Sequence, residues 1–281
     1  MLALLLAAAA LPAGAKTLDP ISYRQLTVLP IVQQSAADTP AAHYMTLEQG
    51  LSDHLVRIRE HGDVNSVVVE NRGAQPLLLV GGEMILGGQQ DRILGQDTLI
   101  EPHKARTVGV YCVEHGRWRG AQQFGAAGGF VDSKVRSRAK VSHSQQQVWD
   151  EVARKAEATN AATLTGTYRA VTKKTEKAAK AYRDAIVPQL EALSAPVVGL
   201  AVAVNGRIVS VDAFATPELF AQYRDRILDA AAVGAQDAPA DAAAPKVAPA
   251  AVNEFMQKAV SSGVKDGQGA AVYESALPAE Q

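Results

Sequence analysis

The chain has 281 residues, 47% of them apolar and 20% charged, which suffices for one sizeable core or two small ones. A formal net charge of -1 excludes a global field that would draw the protein to nucleic acid or to an anionic membrane. A single cysteine excludes an intramolecular disulfide, so packing has to hold the fold.

Residues 1–15, MLALLLAAAALPAGA, join an apolar run to a Pro-Gly break and to small residues at Ala13 and Ala15. This reads as a secretory signal cleaved after Ala15, which would leave Lys16 as the first residue of a periplasmic or secreted protein. The run is well short of the roughly 20 apolar residues that span a bilayer, and no later segment reaches that length. No transmembrane segment is therefore expected after cleavage.

Leu26–Val32 predicts a strand, with Pro30 marking an edge or an end. Thr46–Gly50 predicts one helical turn behind a Thr-x-x-Gln capping box, and Asp53–Glu60 a half-buried strand, with a helix from Leu47 to Ile58 as the alternative. In VNSVVVENRGAQPLLLV, Asn71-Arg72-Gly73 separates two apolar runs and predicts an antiparallel hairpin. The runs MIL, DRIL, DTLI and RTVGVYCVE follow, each bounded by Gly, Pro or Asp, and predict a sandwich-like or barrel-like antiparallel sheet.

Composition then changes. Gly120–Gly129 is small and Val131–Ser142 is basic, which predicts a mobile surface loop. Between Phe130 and Leu190 there are 12 Lys and Arg against 6 Asp and Glu. Ser142 or Ser144 caps a helix through QQQVWDEVARKAEA, and a second helix carries the stripe Leu164, Tyr168, Val171, Ala178, Tyr182 and Ile186, with Pro188 kinking or ending it. Lys173, Lys174, Lys177 and Lys180 fall on its other faces, and no aromatic residues interleave them to stack on bases, so no nucleic-acid partner is expected.

Pro196–Phe214 is the clearest hairpin, turning at Asn205-Gly206 as a type I′ turn requires. Thr216 and Pro217 then start a helix whose apolar face is Leu219, Tyr223, Ile227 and Leu228. Residues 231–250 read as an Ala/Pro-rich linker, and 251–281 as a poorly ordered tail with one amphipathic segment, Val252–Val260. The fold class is α+β: a β-rich N-terminal half, then helices, then a C-terminal hairpin plus helix, with residues 16–230 forming one domain.

Chemistry-bearing residues concentrate in Gly81–Trp118, GGEMILGGQQDRILGQDTLIEPHKARTVGVYCVEHGRW. Glu83 and Glu114 are the candidate catalytic pair, one as acid and one as base, provided that about 5 to 9.5 Å separates them across a cleft. The structural alternative is that each pairs with Arg92 or Arg117 and pins strand ends together. Gln90, Asp91 and Arg92, with Gln89, are candidate binding residues at a hairpin tip, and His115, Arg117 and Trp118 at a second turn. The glycine pairs lack any phosphate-loop order and suit tight turns. Cys112 reads as a small buried hydrophobe, and Cys112-x-x-His115 with Glu114 offers too few ligands for zinc, so neither metal nor cofactor is expected.

The blocks VENRGAQPLLLVGGEMILGGQQDRIL, IEP, VYCVEHGRW and GLAVAVNGRIVSVDAFATPELF resemble the ARG and rhodanese-phosphatase-superfamily-associated protein domain, over roughly Thr46 to Asp229. That resemblance implies a bacterial domain family whose name records gene neighbourhood with ADP-ribosylglycohydrolases and rhodanese-like phosphatases, which is association and not chemistry. The sequence therefore carries two functional expectations. One is a non-catalytic module that binds a small molecule or a protein through the Glu83–Arg92 loop and the Glu114–Trp118 turn. The other is a hydrolase of a sugar or ADP-ribose-like substrate that works through the paired glutamates.

Overall fold

The computed structural model describes residues 14–33, 43–120, 123–239, 246–267 and 269–279, so most of the expected signal segment lies outside it. In chain order the strands β1 (Ala15–Thr17), β2 (Ile21–Tyr23), β3 (Leu26–Gln33) and β4 (Met45–Thr46) lead to α1 (Leu47–Ser52). Then come β5 (Val56–Arg59), β6 (Ser66–Asn71), β7 (Leu77–Leu79), β8 (Glu83–Gly87), β9 (Arg92–Leu94), β10 (Thr98–Ile100), β11 (Ala105–Cys112) and β12 (Gln123–Phe130). Three helices follow, α2 (Ser133–Lys140), α3 (Gln145–Ala158) and α4 (Tyr168–Glu191). The chain closes with β13 (Val197–Val204), β14 (Arg207–Phe214), α5 (Pro217–Gln236), α6 (Ala250–Lys258), β15 (Val260–Lys265) and β16 (Ala271–Leu277).

The β-rich half closes into a barrel in the order β11-β6-β5-β12-β8-β9, filled by inward-facing residues such as Ile58, Val69, Ile85, Leu94, Val110 and Phe124. A seven-stranded sheet, β1-β3-β13-β14-β16-β15 with β2 also on β3, joins the N-terminal strands to the C-terminal ones. Helices α4 and α5 cover one face of that sheet, where Tyr182, Ile186, Tyr223 and Leu228 meet Val28, Leu200 and Phe214. The Asn205-Gly206 turn has φ of 47° and 74°, as its type I′ geometry demands, and it joins the two central strands β13 and β14.

Several local expectations are corrected. The two runs around Asn71-Arg72-Gly73 do not form a hairpin: β6 pairs with β5 and β11, while β7 pairs with β10 and runs parallel to β4. The buried Asn71 side chain diverts the chain, donating to the carbonyls of Gln75 and Ile100 at 2.8 and 3.0 Å and accepting from Gly73 N at 2.9 Å. Pro30 does not mark an edge, because β3 is covered on both sides. Its carbonyl accepts from Leu18 N on the outer side, so its missing N–H falls in the gap between β1 and β2.

Gly120–Ser142 is not a surface loop. Its described residues build barrel strand β12 and helix α2, the latter capped by Asp132 accepting from Lys134 N at 3.1 Å. Strand β12 is short of β-formers, and at Gly128 a close approach leaves no room for a side chain: a Cβ there would stand 2.8 Å from Leu86 Cδ2. Two of the four basic residues of α2 point inward. Arg136 reaches Asp212 at 2.6 Å, and Lys140 reaches Asp97 at 2.6 Å and Ser275 Oγ at 2.7 Å. Their stems cross Gly81 and Gly82, where a Cβ would stand 2.8 Å from Lys140 Cδ or 2.9 Å from Arg136 Cγ.

The later helices follow their caps, with Ser144, Thr167 and Thr216 accepting from the backbone N–H of Gln147, Arg169 and Leu219. Leu164 lies before α4 and is fully exposed, so it is no part of the buried stripe, whereas Tyr168, Val171, Tyr182 and Ile186 are. Pro188 is absorbed within the last turn of α4. Helix α5 runs on through residues expected in the linker, burying Ala231, Ala232, Val233 and Ala235.

Nor is the tail unordered: α6 packs Val252 and Met256 on the sheet, and β16 pairs with β14 from Val211↔Ala276 to Phe214↔Tyr273. AVYESAL, buried at every position but Ala271 and Glu274, is a strand too short to stand out beside the Ala/Pro-rich stretch that precedes it. Tyr273 and Ser275 of this strand complete the bonds to Arg136 and Lys140. A chain ended at Pro249 is therefore expected to lose at least the roughly 3 to 5 kcal/mol that breaking a buried ionic contact costs, melting about 10 °C or more below the full chain in circular dichroism. An unchanged melt would show that the tail is dispensable to the core.

Candidate functional site

Strands β8, β9 and β11 bring the residues around Asp91 together at one mouth of the barrel. Asp91 is buried in the turn after β8, where its Oδ1 accepts from Gly87 N at 3.0 Å. Arg117 spans the same turn: Nε donates to Glu114 Oε2 at 2.7 Å, Nη2 to Asp91 Oδ1 at 3.2 Å and Gly87 O at 3.2 Å, and Nη1 to Gly88 O at 2.9 Å. Arg169, from the first turn of α4, meets both Asp91 oxygens at 2.6 Å. Glu114 also accepts from Asp91 N at 3.2 Å, and Gln90 donates to Glu114 O at 2.6 Å. Two buried carboxylates are thus bound by two arginines from outside, the arrangement that keeps buried charge tolerable.

Beneath this layer, Arg92 points into the barrel and closes its end. Its Nη2 lies 2.5 Å from Glu60 Oε1, and its guanidinium stands 5.5 Å from the centre of the Phe124 ring. Glu60 in turn accepts from Gln89 N at 3.1 Å. Cys112 is buried beside this pair, and burial pushes its thiol up, as suits an inert packing residue. Gly87 and Gly88 direct carbonyls at Arg117 while their N–H groups bond Asp91 and Gln123, so the turn offers no vacant cradle to a phosphate.

Glu83 is elsewhere. It begins β8, four residues and about 13 Å of extended strand from the Gly87 end where Glu114 is bound. Its Oε1 faces Arg226 Nη1 at 3.1 Å, from α5, and its Oε2 accepts from Val80 N at 2.8 Å. Each glutamate is satisfied by its own arginine, Glu114 by the expected Arg117 and Glu83 by Arg226 instead of Arg92. The geometry gives no shared cleft between the two carboxylates.

The residues that meet solvent are His115, Trp118 and part of Arg117 and Arg169. Trp118 is 53% exposed, and His115 sets its ring edge-on to Trp149 at 4.6 Å. Among the described residues, no group of three or more His, Cys, Asp or Glu is placed to hold a metal ion. Glu60, Arg169 and Arg226 were missed as site residues because each comes from a separate element. Arg169 could have been suspected, since it directly follows the first buried residue of an amphipathic helix and lies off its apolar stripe.

Burial pushes the Glu83 carboxyl up to about 7, against the opposing pull of Arg226 and the bond from Val80. The stability that its retained proton contributes is fully present below the ordinary value of 4.5 and is lost as pH rises through about 7. Glu83→Gln removes this dependence, so its melting temperature relative to the wild type is expected to climb between those pH values, by a margin of about 3 kcal/mol. Parallel melting curves across that range would contradict a displaced titration at Glu83.

Comparison with known proteins gives one family. No curated protein and no solved structure matches. The model of the ARG and Rhodanese-Phosphatase-superfamily-associated Protein domain matches residues 14–277, extending past the blocks quoted above into β16. With nearly the whole chain covered, the protein belongs to the ARG and Rhodanese-Phosphatase-superfamily-associated Protein domain family.

Proposed function

We propose that this protein is an exported, non-catalytic binding module whose contact face is the rim formed by His115, Arg117, Trp118 and Arg169. The observation that carries the reading is the separation of Glu83 from Glu114, which leaves the two candidate glutamates without a common bond to face. The rim suits recognition. Asp91 and Glu114 hold Arg117 and Arg169 from below, so the arginines are pre-organised, each side chain stays partly exposed, and the largely exposed Trp118 directly follows Arg117 in the chain. An aromatic face next to fixed cations fits a partner that brings an apolar surface edged with acidic groups, whether a small molecule or a protein loop. Export is supported by the apolar opening segment and its Ala13-x-Ala15 ending.

Mass spectrometry of the protein recovered from fractionated cells is expected to give a mature chain beginning at Lys16 outside the cytoplasm. A mass that retains Met1 in the cytosolic fraction would contradict export. Titration of the mature protein with ADP-ribose and with acidic oligosaccharides, followed by NMR shifts, tests the rim. Shifts centred on Trp118 without product release are expected, and they should vanish in Trp118→Ala, whose stability should stay within about 0.5 kcal/mol of wild type as at other exposed positions. Turnover of either compound that survives removal of Trp118 would overturn the binding-module reading.

A further inference from the structure

The buried pair of Arg136 and Asp212 is only half made. Arg136 Nη2 donates to Asp212 Oδ1 at 2.6 Å, and the Tyr273 hydroxyl donates to the same oxygen at 2.7 Å. A guanidinium and a carboxylate placed fork to fork would form two parallel bonds. Here the Tyr273 hydroxyl also takes a bond from Nη2, so three groups share one corner and the second leg of the fork stays open. Arg136 Nε and Asp212 Oδ2 are both buried, and neither has a hydrogen-bond partner among the described residues. Arg136 is not free to turn and close the leg. Its stem lies against Gly82, where a Cβ would stand 2.9 Å from Arg136 Cγ, and its Nη2 is committed to two partners.

Arg136 and Asp212 line one cavity together, with Phe130, Val202, Val209 and Ile227 as its apolar walls. The ladder between β13 and β14 passes from Val202↔Ser210 to Ala203↔Ile208, so Val209 has no partner in it. Bulges of this kind re-aim side chains, and here Val209 and Ser210, neighbours in sequence, both reach the cavity wall. The free space is about 20 Å³. A single water needs about 10 to 15 Å³, so the cavity holds one and excludes any organic ligand.

The chemistry of the walls decides among occupants of that size. A cation would satisfy Asp212 Oδ2 but face the Arg136 guanidinium, and an anion would satisfy Arg136 Nε but face the Asp212 carboxylate. A molecule that donates and accepts at once meets both. Charged groups left bare in an apolar wall are costly, and internal waters are where such groups commonly find their partners. The Ser210 hydroxyl on the same wall brings the polar partners to three, the usual number around an internal water.

We propose that this cavity is a built site for one ordered water molecule, which accepts from Arg136 Nε, donates to Asp212 Oδ2 and so completes the pair. The water is then a working part of the contact between α2 and the seven-stranded sheet. The site lies apart from the Trp118 rim and does not rest on the reading given for it.

The test is a high-resolution crystal structure of the protein, with a second crystal soaked in bromide. One fully occupied water is expected within about 3.2 Å of both Arg136 Nε and Asp212 Oδ2, with no anomalous bromide signal at that position. An empty cavity, or a direct bond from Nε to Oδ2 that closes the fork, would overturn the proposal. Bromide in the cavity would overturn it by showing an anion site, and contacts near about 2.4 Å would do so by showing a metal cation.

Discussion

Helix α2 drives two cationic side chains, Arg136 and Lys140, across the Gly81-Gly82 backbone into the seam between the barrel and the seven-stranded sheet. There Arg136 meets Asp212 and the Tyr273 hydroxyl, and Lys140 meets Asp97, which also accepts from Ser262 Oγ and from Gly81 N. All of these charges are buried, and burial lowers the Lys140 ammonium against the pull of Asp97 and Asp212. Taking such charges out of water costs several kcal/mol each, so the seam is stable only with every partner in place. Its partners come from β14, from the turn before β10 and from the last two strands. The network therefore fixes the register of elements far apart in the chain, and with it the angle between the barrel and the sheet.

The other features hang on that seam. Glycine at 81 and 82 is required by the approach of the two side-chain stems, and Glu83 follows immediately, directed at Arg226 of α5. Strand β8 then carries the chain from this buried junction to the opposite end of the barrel, where Asp91, Glu114, Arg117 and Arg169 form the rim. One strand thus separates two ionic layers with different tasks. The inner one is closed and structural, and the outer one leaves Trp118 and its arginines open to solvent.

Much of the local structure was legible from residue chemistry. The Thr46, Ser144 and Thr216 caps, the Asn205-Gly206 turn and the alternation through Val56–Arg59 each depend on contacts within a few residues, and the structure agrees with them. The concentration of buried charge in Gly81–Trp118 was legible as well. What escaped was set by distant partners. GAAGG looks like a loop because no residue in it prefers a strand, yet β5 and β8 supply the pairing that makes it one. KVRSRAK looks like a solvated surface because nothing nearby in sequence announces Asp212 or Asp97. The final hairpin was hidden for the same reason, its tyrosine and serine having meaning only beside α2. For Glu83 and Glu114 the structure matches the alternative of arginine pairing, with Arg226 in place of Arg92 or Arg117 at Glu83, and a strand's length lies between the two carboxylates.

The measurement that most directly tests this account is a double-mutant cycle on Arg136→Met and Asp212→Asn, read as urea-unfolding free energies. If the buried pair organises the seam, the two changes should be strongly non-additive, with a coupling of about 2 to 3 kcal/mol, because either one alone already strands its partner. Additivity within about 0.5 kcal/mol would mean that each side chain acts independently, and the seam could not then be the interaction on which the rest of the structure depends.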